Sequence, residues 1–327
     1  MLIEDHIKRN KLKTYLLFGL YIFLFAAVAF LLGIYTGDIV TWGILFGVIF
    51  VVMFVVSNVF GKNVIARMTG AKEVTREQEP YLYHTIDGLS IAAGINTPKA
   101  YIIETDTPNA FAAGSSPKNA IVGVTRGLMN RLNREELEAV IAHEMAHIKN
   151  YDIKLATISV VLAGTIVFVA HMMRRSLFWG RFGRAGRVGM GGGSRRGGSG
   201  KGGAAFIQIL ALIVVIIIAP LMARIIQFAI SRKREYLADA SGAELTGYPE
   251  ALASALEKIS GMQKDDTRLE NDAIKGLFIV NPSREDSVSA IGSEQTDVKS
   301  FGGKKRSSSL FSTHPDIKER VERLRNM

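Results

Sequence analysis

The hydrophobic positions of this chain gather into long unbroken runs instead of spreading evenly along it. Thr14–Tyr35 and Ile39–Phe60 are nearly uncharged, and Leu155–Met173 and Ala204–Ala223 repeat the pattern. A helix needs about 20 consecutive apolar residues to cross the hydrocarbon core of a bilayer, so the pattern predicts four candidate spans. The first run is longer than the apolar core of a cleaved signal, lacks a small-residue cleavage site and is followed at once by the second, so it is expected to stay as an anchor. The expected organisation is a transmembrane hairpin over 1–61, a polar segment over 62–152, a second hydrophobic hairpin over 153–230 and a C-terminal polar segment over 231–327.

Within the first polar segment the period shortens. Ala100–Glu104 and Ala120–Thr125 read as short strands, joined by a connection through Pro108 and Gly114–Pro117 that is rich in turn-forming residues. A helix should begin at Asn133, because Asn133 with Glu136 three residues later forms an N-terminal capping box. Leu137, Val140, Ile141 and Ile148 then mark its buried face.

Charge refines the membrane reading. Lys8, Arg9, Lys11 and Lys13 precede the first span, Lys62, Arg67, Lys72 and Arg76 follow the second, and the turn at Gly37–Asp38 has no basic residue. The positive-inside tendency then places both ends of the hairpin, and the polar segment after it, in the cytoplasm. The formal charge of +10 is concentrated in a Gly/Arg-rich tether, 174–204, with eight basic residues and no acid. Its glycine content predicts a flexible linker. Between two apolar runs it is better placed to meet anionic lipid than nucleic acid, which is not expected as a partner. The chain has no cysteine, which fits a reducing compartment and excludes thiolate metal ligands.

The chemistry lies on the capped helix, in His143-Glu144-Met145-Ala146-His147. Two histidines four apart share a helix face, so both imidazoles can reach one ion. Zinc accepts neutral imidazole nitrogen and keeps a position open for water when only three protein groups bind it. Glu144, beside the first histidine, is then placed to act as a base. The third ligand must come from elsewhere. Glu235 and Asp239 lie just past the fourth apolar run and are four apart on an expected helix, which suits one ligand carboxylate and one that orients a histidine through its other ring nitrogen. Taken alone, the same residues next to Arg232, Lys233 and Arg234 would read as an ordinary charged helix face.

These motifs resemble the HtpX-type membrane zinc proteases, which are related to the CAAX prenyl proteases and more distantly to thermolysin-like enzymes. The resemblance runs through the N-terminal hairpin, Asn109-Ala110-Phe111, His143–His147, the second hydrophobic pair, Glu235–Asp239 and Ser312-Thr313-His314-Pro315. It implies a gluzincin-like zinc-metallopeptidase domain of mainly α, α+β class with transmembrane helices, one Zn2+ per chain, and a multi-pass location in the cell (inner) membrane. The implied task is stress-responsive removal of misfolded or damaged membrane proteins, with self-cleavage as a further family property. Asn109 and Ala110 resemble the start of the family's substrate-binding edge strand, although an Asn turn after proline fits as well. His314 resembles the family's oxyanion stabiliser, although Thr313-His314-Pro315-Asp316 also reads as a helix start. Arg320 reads as a solvated helix charge, and His84 and His171 as structural.

His143 and Glu235 must lie on one side of the membrane, so a fully crossing second hairpin would put the basic tether outside, against the positive-inside tendency. Either the two runs cross despite that bias or they form a hairpin that stays near the cytoplasmic interface. A zinc-holding scaffold without activity is disfavoured because structural zinc sites take four protein ligands. A prenyl-protein protease would need a larger helical chamber, and a transporter would need charge within its spans.

Overall fold

The computed structural model describes residues 3–162, 232–260, 277–279 and 315–327. Most of Leu155–Met173, the tether 174–204, the run Ala204–Ala223, His171 and His314 lie outside them.

The first two runs form helices α1 (Ile3–Thr36) and α2 (Ile39–Val55). Gly37 turns the chain between them in the left-handed conformation (φ 77°), where a side chain would be strained. Asp38 caps α2 by accepting a hydrogen bond from the Thr41 amide at 3.0 Å. Facing aromatic rings join the pair, with Phe18 and Phe54 centroids 5.0 Å apart and Phe25 and Phe46 5.6 Å apart. Asn10–Leu31 and Ile39–Thr69 are each long and apolar enough to cross a membrane. Ile39, Val40, Ile44, Val48 and Val51 are all exposed, an apolar surface that suits contact with lipid better than with water. A π-helical turn, Val56–Phe60, leads from α2 into α3 (Gly61–Thr69).

The polar segment folds around a four-stranded sheet of β1 (Lys72–Glu73), β2 (Lys99–Ile103), β3 (Ala110–Gly114) and β4 (Ala120–Thr125), in the order β1-β2-β4-β3. β2 and β4 run parallel, while β1 and β3 pair antiparallel to their neighbours. Both strands read from the sequence are present, the first displaced by one residue. The hydrophobic pattern marked neither β1 nor β3; all five residues of β3 are buried, so it shows no alternation of apolar and polar positions. Phe111 of β3 lies opposite Gly123 of β4, and its ring fills the space a side chain at Gly123 would need.

Helices cover both faces of the sheet. On one, Ile102, Val122, Val124, Ala110 and Ala112 pack against α4 (Pro80–Ala93) and α6 (Arg134–Lys149). On the other, Tyr101, Ile103, Phe111 and Ile121 pack against Ile65 of α3, Val160 and Phe278. A short α5 (Arg126–Arg131) precedes α6. The capping box at Asn133 and Glu136 closes from both sides, at 2.8 and 3.0 Å, and fixes where α6 begins. A further helix, α7, is described over residues 152–162. Its Leu155, Ile158 and Leu162 pack on Leu17, Phe18 and Tyr21 of α1, which docks the first membrane helix on the polar domain. Helices α8 (Arg232–Thr246), α9 (Pro249–Ser260) and α10 (Ile317–Arg325) complete the described residues.

Candidate metal centre

Two helices build the site. α6 presents His143, Glu144 and His147 within one turn, and α8 crosses it closely enough that a Cβ at Gly242 would sit 2.9 Å from the His143 backbone nitrogen. That approach brings Glu235 to both histidines, with its carboxylate oxygens 3.8 Å from His143 Nε2 and 3.6 Å from His147 Nε2. One ligand atom from each of the three residues lies within 4.8 Å of the others, and His143 and Glu235 are buried.

Each imidazole has a carboxylate behind it. His143 Nδ1 lies 3.0 Å from Asp239 Oδ1, close but bent from the ring N–H axis, and His147 Nδ1 lies 3.0 Å from Asp152 Oδ2. A carboxylate at Nδ1 favours the proton there and leaves the Nε2 lone pair free. Both Nε2 atoms then point towards Glu235. His143 Nε2 is buried without a hydrogen-bond partner, an arrangement that costs stability unless a cation answers it. Three donors of imidazole and carboxylate type, with ring orientation fixed from behind, suit a divalent ion such as zinc.

The electrostatics carry the same signature. Burial pushes the Glu144 carboxyl up to about 7, opposed by His147 and Arg320, and the Ala112 backbone amide of β3 also favours its ionised form. Burial opposes charge on His147 as well, but Asp152, Glu235 and Glu144 outweigh it and raise its pKa to about 9. A metal ion needs the neutral ring, so its binding would displace this proton. Burial holds His143 below its ordinary value. Asp239 resists burial and falls to about 2 because of Arg320.

Arg320 overturns its sequence reading as a solvated charge. Its side chain is completely buried, donates to Asp239 at 2.8 and 2.7 Å in a two-pronged pair, and reaches the Ile279 carbonyl at 3.3 Å. A signal for this was present: Ile317, Arg320, Val321 and Leu324 share the buried face of α10, so Arg320 lies on an apolar stripe where a free charge has no place. Asp152, Arg234 and Asn10 were also missed. Asp152 reaches His147 because Tyr151 adopts φ 60°, a left-handed conformation that is costly for a residue with a side chain.

His143, Glu144, His147, Glu235 and Asp239 are thus brought together. Of the flanking arginine and lysine residues, Arg232 and Lys233 are exposed while Arg234 is buried. Asn109 is buried at the start of β3: its amide donates to Thr125 Oγ1 at 2.8 Å, its carbonyl accepts from the Thr125 amide at 3.0 Å, and its Oδ1 accepts from the Ala110 amide at 3.1 Å. The Ala110 carbonyl accepts from the Ile279 amide at 3.1 Å, and Phe111 bridges to Phe278, so 277–279 already lies along part of the outer edge of β3. His84 is exposed on α4, outside this cluster.

Comparison with known proteins supplies an independent line. A sequence profile described as Peptidase family M48 matches residues 76–327. A protein named Protease HtpX homolog from Streptococcus uberis is 38% identical over 327 residues, all of both chains. One of the same name from Dictyoglomus turgidum is 44% identical over 264 residues, 81% of this chain and 75% of that one. Another from Listeria monocytogenes is 40% identical over 330 residues, again all of both chains. Among solved structures, the crystal structure of S. mikatae Ste24p aligns with 98% of this chain and 66% of its own, at TM-score 0.47 and 20% identity.

Proposed function

Because this chain belongs to peptidase family M48, and is therefore a metalloprotease, we propose that it is an integral-membrane zinc metalloendopeptidase in which His143, His147 and Glu235 hold the ion and Glu144 is the base. The observation that carries this reading is the meeting of the His143, His147 and Glu235 ligand atoms within 4.8 Å, with Glu144 buried next to them. When bound, zinc supplies Lewis acidity towards water and towards a carbonyl oxygen.

The remaining work falls to side chains. Asp152 pairs with His147 Nδ1 and Asp239 lies 3.0 Å from His143 Nδ1, so each ring has a carboxylate behind it that favours presenting Nε2. Glu144 removes a proton from the attacking water as its oxygen bonds to the scissile carbonyl carbon. The same carboxyl then gives that proton to the departing nitrogen as the C–N bond breaks. His314 is proposed to donate to the developing oxyanion. On that role His314→Ala lowers kcat by about 10²-fold with bound zinc unchanged, and an unchanged kcat would remove His314 from the mechanism.

The substrate class proposed is misfolded or damaged membrane protein, cut at the cytoplasmic face of the cell (inner) membrane. Supporting it are the two apolar helices and the basic residues flanking them at Lys8–Lys13 and Lys62–Arg76, which favour a cytoplasmic domain. The decisive experiment is cleavage of an unfolded model membrane protein by wild type and by Glu144→Gln, with metal content measured on both. Cleavage by the wild type alone, with about one zinc in each, is expected. Equal cleavage by both would displace Glu144 as the base, cleavage confined to a prenylated peptide would reassign the substrate class, and absence of zinc from both would reject the ligand assignment.

A further inference from the structure

We propose that Asn10, on the first membrane helix, is a positioning residue for the metal centre that acts through Asp152 on His147. The inference rests on the ligand assignment above. Asn10 opens the apolar stretch Asn10–Leu31, yet it is only 5% exposed and turned towards the polar domain. Its Nδ2 donates to Asp152 Oδ1 at 2.6 Å and to the Asn150 carbonyl at 3.2 Å. Its Oδ1 accepts from Arg234 Nη1 at 3.4 Å, and Arg234 directly precedes Glu235. A carboxylate and a carbonyl need donors while a guanidinium needs an acceptor. A short amide supplies both kinds from one side chain.

The contact matters because of how Asp152 is held. With Oδ1 fixed by Asn10, Oδ2 is left to face His147 Nδ1. Without Asn10 the nearest remaining charge on Oδ1 is Arg234 Nε at 3.5 Å, and the carboxylate is free to turn towards it and away from the imidazole. The backbone that carries Asp152 also needs restraint, since Tyr151 is held in a left-handed conformation. Lys11, the next residue of α1, lies 5.0 Å over the Tyr151 ring. Two successive residues of a membrane helix thus brace the turn between the zinc helix and α7. The metal centre is completed by the membrane anchor and is not contained in the polar domain alone.

The test is zinc affinity of the full-length protein in detergent, measured by competition with a chromophoric chelator. Groups that support a metal-binding histidine typically change affinity by about 10- to 100-fold, and Asn10→Ala is expected to weaken zinc by at least the lower figure. Because Asn10 acts through Asp152, the double variant Asn10→Ala/Asp152→Ala should bind zinc within about 2-fold of Asp152→Ala alone. Leu16→Ala changes an exposed residue of α1, away from both the docking seam and the polar cluster, so it should bind zinc like wild type. Asn10→Ser replaces the amide with a single, shorter hydroxyl, should fall between Asn10→Ala and wild type, and serves if Asn10→Ala cannot be purified. Wild-type affinity in Asn10→Ala, an equal loss in Leu16→Ala, or a double variant showing the product of both single losses would overturn the proposal. His143→Ala separates this from the parent reading: if it keeps zinc, the ligand assignment fails, whereas if it alone loses zinc, only the role of Asn10 fails.

Discussion

His143 and His147 are the same residue one helical turn apart, yet the groups behind them come from opposite ends of the molecule. Behind His143 stands Asp239, gripped by the two-pronged guanidinium of Arg320 from the C-terminal helix, all of it buried. Behind His147 stands Asp152, held by an amide from the first membrane helix and more loosely by Arg234. The first support is made within the folded core, where burying a charged pair is tolerable only because the geometry is good. The second depends on docking of a helix long and apolar enough to cross a membrane. One metal centre therefore reports on two separate parts of the fold.

The comparison can be broken at its stronger side first. Arg320→Ala would leave the Asp239 carboxylate buried without its partner, and a loss of about 3–5 kcal/mol in denaturant unfolding is expected. Arg320→Lys keeps the charge but not the fork and should recover part of that loss. Stability equal to wild type in Arg320→Ala would show that the core support is not what the contacts suggest. A smaller and more selective effect is expected from the two carboxylates. Asp239→Asn and Asp152→Asn should each weaken zinc binding by about 10- to 100-fold, but Asp239→Asn should lower unfolding stability more, since it breaks the two-pronged pair with Arg320 at 2.7 and 2.8 Å whereas Asp152 lies 3.5 Å from Arg234. Equal losses of stability in both would erase the distinction between core and anchor.

The smallest effect belongs to Glu136, which caps α6 away from either support. Burial pushes its carboxyl up, but the Lys258 ammonium, the Ser254 hydroxyl and the Asn133 amide overcome this and leave it below the ordinary value of 4.5. A lowered folded-state value means that the ionised group stabilises the fold above the ordinary value, and that this contribution disappears as pH falls through the lowered one. Glu136→Gln should therefore cost about 1 kcal/mol at neutral pH and flatten the loss of stability on acidification below pH 4.5. An unchanged acid limb would point to other carboxylates.

Most of what could be read from the sequence was local. Helices α1 and α2 follow from unbroken apolar length, and the start of α6 follows from a capping pair three residues apart. The His143 and His147 spacing is a property of one helical turn. What stayed hidden depends on distant partners. The bond from Asn10 to Asp152 joins residues 142 positions apart, and no spacing rule connects them. β3, towards which only the resemblance at Asn109 and Ala110 pointed, escaped the hydrophobic pattern because Ala110-Phe111-Ala112-Ala113-Gly114 is buried on both faces and has no polar side to betray its period. Arg320 is the instructive case, because its place on the apolar face of α10 was visible while the carboxylate that makes such a position tolerable lay on another helix.

Gly242 carries a consequence for how the two halves of the site meet. At that point α6 and α8 approach backbone to backbone, and a Cβ there would sit 2.9 Å from the His143 backbone nitrogen. Any larger residue would wedge α8 away from α6 and carry Glu235 off the two histidines. The residue that contributes no side chain at all thereby sets how closely the ligand-bearing helices can lie.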